Sequence, residues 1–312
     1  MKKLILTKLL LITAIVISAQ LKDSPKFIGP NLGQKPPGMT PEIFAPAFVS
    51  TKEYGELNAV FTKNGNEFYF SRRGVPGKYS TVMVTRKVNG RWSDPEPVNF
   101  SGIKDDIDLF ITTDGKSMIY CSYQGKSSDV KSYPNHDFWI SNRVGDRWSS
   151  PMPFAKEAIS EFEDYYPIVT DNGNLFFNSQ RGGPGTNDIY ISKYLNGKYT
   201  KAEKLPEPIN TPYREFDAFV THDESLIIFS SEKPGGYGRS DLYISLKKND
   251  GSWSEPSNLG KFVNSEFSEY GATITSDDKY LFFTSNRNGS EDIFWVSTKI
   301  IEEFKSKMNQ NQ

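Results

Sequence analysis

Apolar and polar positions alternate along most of this chain in short runs broken by Gly, Asn, Asp and Pro, the pattern of strands and tight turns rather than of helices. One phrase returns five times at intervals of about fifty to sixty residues: FTKNGNEFYFS from Phe61, ITTDGKSMIYCS from Ile111, VTDNGNLFFNS from Val169, VTHDESLIIFS from Val220 and ITSDDKYLFFTS from Ile274. Each copy is the end of an inner strand such as Ala59 to Thr62, a polar turn, and an aromatic-rich second strand such as Glu67 to Ser71. A third strand follows, at Thr81 to Thr85 and then at DFWIS from Asp137, DIYIS from Asp188, DLYIS from Asp241 and DIFWVS from Asp292. Hairpin signals come next at Asn89-Gly90, Gly145-Asp146, Asn196-Gly197 and Asp250-Gly251, before a fourth strand that opens on Trp92, Trp148, Tyr199 or Trp253. Repeats of this length built from short strands cannot bury their faces alone. They predict an all-β, five-bladed β-propeller of four-stranded blades.

The fifth repeat lacks a fourth strand, because after Trp295 and Val296 the chain runs into IIEEFKSKMNQNQ. The missing strand is expected from PEIFAPAFVS at Pro41, which would complete the last blade, close the ring and remove its edges. The propeller is thus expected over residues 41–299, after an irregular lead-in over 20–40. Residues 300–312 read as a short helical or frayed tail whose loss should cost little.

Lys2 and Lys3, the apolar run from Leu9 to Ile17, and Ser18-Ala19-Gln20 have the order of a secretory signal peptide over residues 1–19, with cleavage after Ala19. Lys8 leaves the apolar stretch too short to span a membrane. No cysteine follows the run, so a soluble periplasmic or secreted protein is expected rather than a lipoprotein. Cys121, the sole cysteine, lies in an apolar strand phrase and reads as a buried, inert thiol. A formal net charge of −1 offers no basic excess for nucleic acid. A monomer is expected.

The phrases resemble the WD-like propeller repeats of the TolB type: inner strand, Asp-Gly turn, aromatic strand, Ser-x-Arg, loop and Asp-Ile-Tyr strand. The resemblance covers roughly Pro41 to Lys299 and is specific for fold. It implies either an interaction platform or, by a more distant likeness to oligogalacturonate-lyase-type propellers, cleavage of uronate-containing sugars by elimination. The chain departs from the lyases in having five repeats and two histidines.

In a propeller, the loops entering the inner strands and those joining second to third strands emerge around one mouth of the central channel. Three sets of residues are placed there. A carboxylate recurs at one position in every repeat, as Glu56, Asp106, Asp164, Glu215 and Glu269. These five would cap neighbouring loops, pair with arginine, or hold a hard divalent cation such as calcium; otherwise no cofactor is implied. Arg72, Arg181, Lys233 and Arg287 follow the second strands, with Arg73, Arg214 and Arg239 nearby, and suit an acidic ligand or the carboxylates themselves. Tyr123, Tyr133, Tyr165, Tyr166 and Tyr270 stand among the loop tyrosines that could stack on sugar rings.

His136 closes the longest of these loops, at a position held by Asn187, Ser240 and Glu291 in other repeats. An ordinary imidazole could act there as general base, with Tyr123 or Tyr165 as proton donor. His222 falls in a turn at the opposite end and reads as solvated. The expected function is elimination on an acidic, uronate-containing and possibly sulfated oligosaccharide, as a lyase or a dehydratase. Arg72, Arg181, Arg214, Arg287, Tyr166 and Tyr270 would bind the substrate. Two alternatives stay open: a non-catalytic propeller binding a glycan or protein, and a glycoside hydrolase using two ring carboxylates.

Overall fold

A computed structural model describes residues 27–74, 79–123, 136–183 and 185–310. The expected signal peptide, Tyr133 and most of the loop that His136 closes lie outside them. Five antiparallel sheets form a propeller. The first blade orders Gly55–Phe61, Glu67–Arg73 and Thr81–Val88, with Glu96–Pro97 outermost. The second repeats this with Asp106–Ile111, Ser117–Tyr123, His136–Val144 and Met152–Pro153, and the third with Asp164–Val169, Leu175–Ser179, Asp188–Ser192 and Glu203–Lys204. The fourth uses Glu215–Val220, Leu226–Ser231, Asp241–Leu246 and Ser257–Asn258.

The fifth blade is Glu269–Ile274, Tyr280–Ser285 and Asp292–Ser297, and its outer strand is Glu42–Ile43, paired with Trp295 and Phe294. The ring closes as expected. Phe44, fully buried, locks the closure by packing its ring 4.9 Å from those of Phe68 and Phe282 and 5.1 Å from that of Trp295. That places one aromatic from the N-terminal segment between the first and last blades.

Second strands are nearly continuous apolar runs because both faces of each sheet are covered; Phe68, Tyr69 and Phe70 are all fully buried. The repeat aromatic sits in a short ladder after the hairpin rather than in the outer strand. Trp92, Trp148 and Trp253 are buried there, and Ser93, Ser149 and Ser254 each accept a backbone N–H from the third strand.

Two expectations change. The C-terminal segment takes the helical alternative, Lys299–Gln310, but is not dispensable: Ile300 and Ile301 are buried against Leu226, Leu281 and Phe283. Its loss would expose that core. The inner strands also start earlier than the repeat phrase suggests, so the five repeat carboxylates sit within the strands.

Each inner strand is bulged at the same place, where the register slips. Asn58, Asp108, Tyr166, Asp217 and Gly271 occupy these bulges, all at positive φ between 50° and 63°. Among the described residues no helix is long and apolar enough to cross a membrane.

Candidate functional site

The repeat carboxylates are buried, each held by its own blade. Glu56 accepts the backbone N–H and hydroxyl of Thr51, Asp164 those of Ser160, Glu215 those of Thr211 and Glu269 those of Ser265. Asp106 accepts the hydroxyls of Ser101 and Ser122. Three pair with the arginine of the same blade: Arg72 with Glu56 at 2.9 Å, Arg181 with Asp164 at 3.0 Å and Arg287 with Glu269 at 3.0 Å. Arg72 and Arg181 also donate to loop carbonyls at Val49 and Ala158. Burial pushes the Glu56 carboxyl up to about 7 against these donors. In these three blades carboxylate and arginine together staple the loop that leads into the inner strand. Among the described residues no group of three or more His, Cys, Asp or Glu is arranged to hold a metal ion.

One residue earlier in each repeat, the chemistry is different. Gly55, Asp105, Glu163, Arg214 and Ser268 stand there, no two alike. His136 lies between two of them. Its Nδ1 is 2.9 Å from Glu163 Oε2, its backbone N–H donates to the same oxygen at 3.2 Å, and its Nε2 is 3.4 Å from Asp105 Oδ2. Burial works against charge on the imidazole, but hydrogen bonding and attraction to Asp105 and Glu163 outweigh it and raise His136 to about 9. In turn, burial would raise Asp105, yet His136 and the Ser80 N–H at 2.6 Å bring it down to about 2. His136 is therefore an imidazolium at neutral pH.

The three residues assigned to catalysis from sequence meet here. The Tyr165 ring is 5.1 Å from the imidazole and the Tyr123 ring 5.8 Å. Burial and the neighbouring Glu163 charge push the Tyr165 phenol up, so it stays protonated. Arg73 reaches Glu291 at 2.8 Å, and the Tyr270 hydroxyl donates to the same carboxylate. Arg214 pairs with Glu232 at 2.8 Å and is two-fifths exposed.

The bulge residues gather next to this cluster. The Asp108 carboxylate accepts the Tyr166 N–H and a bond from Asn58, and Asp217 accepts the Gly271 N–H. Burial raises both carboxyls, and each feels the charge of Arg73; His136 also acts on Asp108. Asp217 is raised further by Asp108. Tyr166 is buried at this level, its hydroxyl donating to the Ala272 carbonyl at 2.8 Å.

Asp105, Glu163, Asp108 and Asp217 escaped the sequence reading. Two signals were present: the position before each repeat carboxylate varies, and Asn58, Asp108 and Asp217 are polar residues inside otherwise apolar strands. At the other end of the channel a cavity of about 510 Å³ opens among Phe110, Ile168, Phe219, Thr273, His222 and Ile301. His222 there contacts the Thr113 hydroxyl at 3.0 Å.

No family model matches this chain, and no curated protein matches it. Solved structures share its fold at low identity. A glycoside hydrolase aligns with a TM-score of 0.55 at 13% identity, over 84% of this chain and 91% of its own. The endo-arabinase from Bacteroides thetaiotaomicron VPI-5482 aligns with a TM-score of 0.53 at 10% identity, over 84% and 97%. A TolB-like protein from Agrobacterium tumefaciens gives 0.47 at 15% identity, over 74% and 70%. Such identities speak for the fold alone.

Proposed function

We propose that this protein is an exported, carbohydrate-active propeller that acts on uronate-containing oligosaccharides by elimination. The observation that carries the reading is the convergence of His136, Tyr165 and Tyr123 at the channel mouth, above Asp108. Export is supported by the order of residues 1–19.

β-Elimination from a uronate needs three things: a donor on the sugar carboxylate to stabilise the enolate, a base for the C5 proton, and a donor for the departing oxygen. His136 suits the first role as a fixed positive charge beneath the sugar carboxylate, held cationic between Glu163 at 2.9 Å and Asp105 at 3.4 Å. Asp108, ionised but with raised proton affinity, suits the second, and the protonated Tyr165 the third. Tyr123 flanks the imidazole as a stacking surface. The pair of electrons from the C5–H bond becomes the C4–C5 double bond, and the C4–O bond breaks with protonation of its oxygen. Loss of the glycosidic oxygen makes a lyase; loss of a free 4-hydroxyl makes a dehydratase.

Recognition of the acid falls to His136, Arg73 and Arg214: both arginines are paired, with Glu291 and Glu232, but stay part-exposed, whereas Arg72, Arg181 and Arg287 are largely buried against their own carboxylates. One observation favours a second reading. Burial raises both Asp108 and Asp217, and the charge of Asp108 raises Asp217 further, an environment that suits an acid and base pair for glycoside hydrolysis.

Incubation with a panel of sulfated and unsulfated uronate oligosaccharides, followed by ultraviolet absorbance and mass, separates these outcomes. Elimination gives a conjugated double bond and new absorbance, with a shortened chain for a lyase or loss of one water at unchanged length for a dehydratase. New reducing ends without absorbance would replace elimination by hydrolysis. No change across the panel would leave a binding module.

A further inference from the structure

The loops that carry the mouth residues end in exposed aromatics. Immediately before the varied position stand Tyr54, Lys104, Phe162, Tyr213 and Phe267, so four of five blades offer an aromatic ring at one equivalent place. Phe162 is 39% exposed, Tyr213 47% and Phe267 39%. Rings this open contribute little to the core, and nothing in blade packing asks for an aromatic there.

Each of these three is held in place by the same local device. The N–H of Phe162 donates to the Ser160 hydroxyl, that of Tyr213 to Thr211 and that of Phe267 to Ser265, each at 3.2 Å. Those hydroxyls in turn donate to the buried repeat carboxylates. The aromatic tips are thus anchored to the scaffold through one bond, which fixes the loop that presents them before any ligand arrives. Each tip also neighbours a mouth residue in sequence: Phe162 precedes Glu163, the partner of His136, and Tyr213 precedes Arg214.

We infer that Phe162, Tyr213 and Phe267 form an aromatic rim that stacks on sugar rings of a glycan chain extending out of the mouth, so that the site selects oligosaccharides over short fragments. The inference rests on the reading of the mouth as a glycan site. A flat, part-exposed ring suits the apolar face of a pyranose, and one ring from each of the third, fourth and fifth blades spreads the contacts along an arc rather than concentrating them at one point. The reacting sugar would sit over His136, and the rim would hold the units beyond it.

The test is binding of size-fractionated pools of uronate oligosaccharides, of two and of about eight units, to the wild type and to Phe162→Ala, Tyr213→Ala and Phe267→Ala, singly and combined. Since an aromatic contact contributes on the order of 0.5–1.5 kcal/mol, each single variant should weaken binding of the long pool by about 2- to 12-fold and leave the short pool unchanged. Thermal melting should not move, as the side chains are exposed. Wild type that binds both lengths equally, with no effect of the triple variant, overturns the rim and leaves the mouth reading standing. Wild type that binds neither pool overturns both.

Discussion

Adjacent positions in the same loops do opposite work. At one, an acid recurs in every blade, buried at 3% exposure or less and satisfied by its own Ser or Thr. At the position before it stand Gly55, Asp105, Glu163, Arg214 and Ser268, no two the same residue, and the two acids among them grip His136. Repetition through all blades marks the requirement of the scaffold, because each blade must solve the same loop-closing problem. Variation at the neighbouring position marks a place the scaffold leaves free, and there a histidine is held charged.

The largest expected effect breaks the first set. Arg181→Ala leaves the fully buried Asp164 without its cation and should lower unfolding free energy by about 3–5 kcal/mol in chemical denaturation, whatever ligand is present. A variant that keeps its stability and loses only acidic ligands would make Arg181 a binding residue and erase the distinction. His136→Gln keeps a donor toward Glu163 but no charge. Turnover should fall by about 10²–10³-fold, the scale of losing one donor to a developing oxyanion, with a far smaller change in stability than in Arg181→Ala.

The charge on His136 also has a sign in folding. Its proton affinity is raised in the folded protein, to about 9, so its stabilising contribution is complete below the ordinary imidazole value of about 6.5 and is lost as pH rises through about 9. Asp105, lowered to about 2, contributes above the ordinary carboxylate range and loses that contribution as pH falls toward about 2. Denaturation of wild type against His136→Gln should therefore show a stability difference that shrinks over the alkaline interval; a difference that grows would contradict the clamp. The smallest effect belongs to His222→Ala, at the far end of the channel and about one-third exposed. It should change stability by no more than about 0.5 kcal/mol and leave turnover intact.

The fold was legible because its determinants are local and repeated: turn chemistry, apolar second strands, and a missing outer strand with a matching phrase at Pro41. The helix Lys299–Gln310 was half legible. Its polar composition suggested fraying, while burial of Ile300 and Ile301 depends on a core contributed by the fourth and fifth blades. For the site, His136, Tyr123 and Tyr165 could be singled out because they break the repeat or crowd its loops. Their partners could not. Glu163 lies 27 residues from His136, and whether an acid at that distance grips an imidazole or faces water is set by how neighbouring blades turn around the axis. The bulges left only a faint mark, the polar Asn58, Asp108 and Asp217 inside otherwise apolar strands, since a register slip is set by strand pairing that no single residue announces.

The role of the mouth is tested most directly by the pH dependence of kcat/KM for appearance of the conjugated product, followed through the neutral and alkaline range. With His136 working as a cation, kcat/KM should hold near neutrality and fall as pH rises through about 9, and His136→Gln should lose that alkaline limb. A rate that instead climbs through about 9 in the wild type would show His136 working only once deprotonated, and would contradict a mouth built around a fixed positive charge.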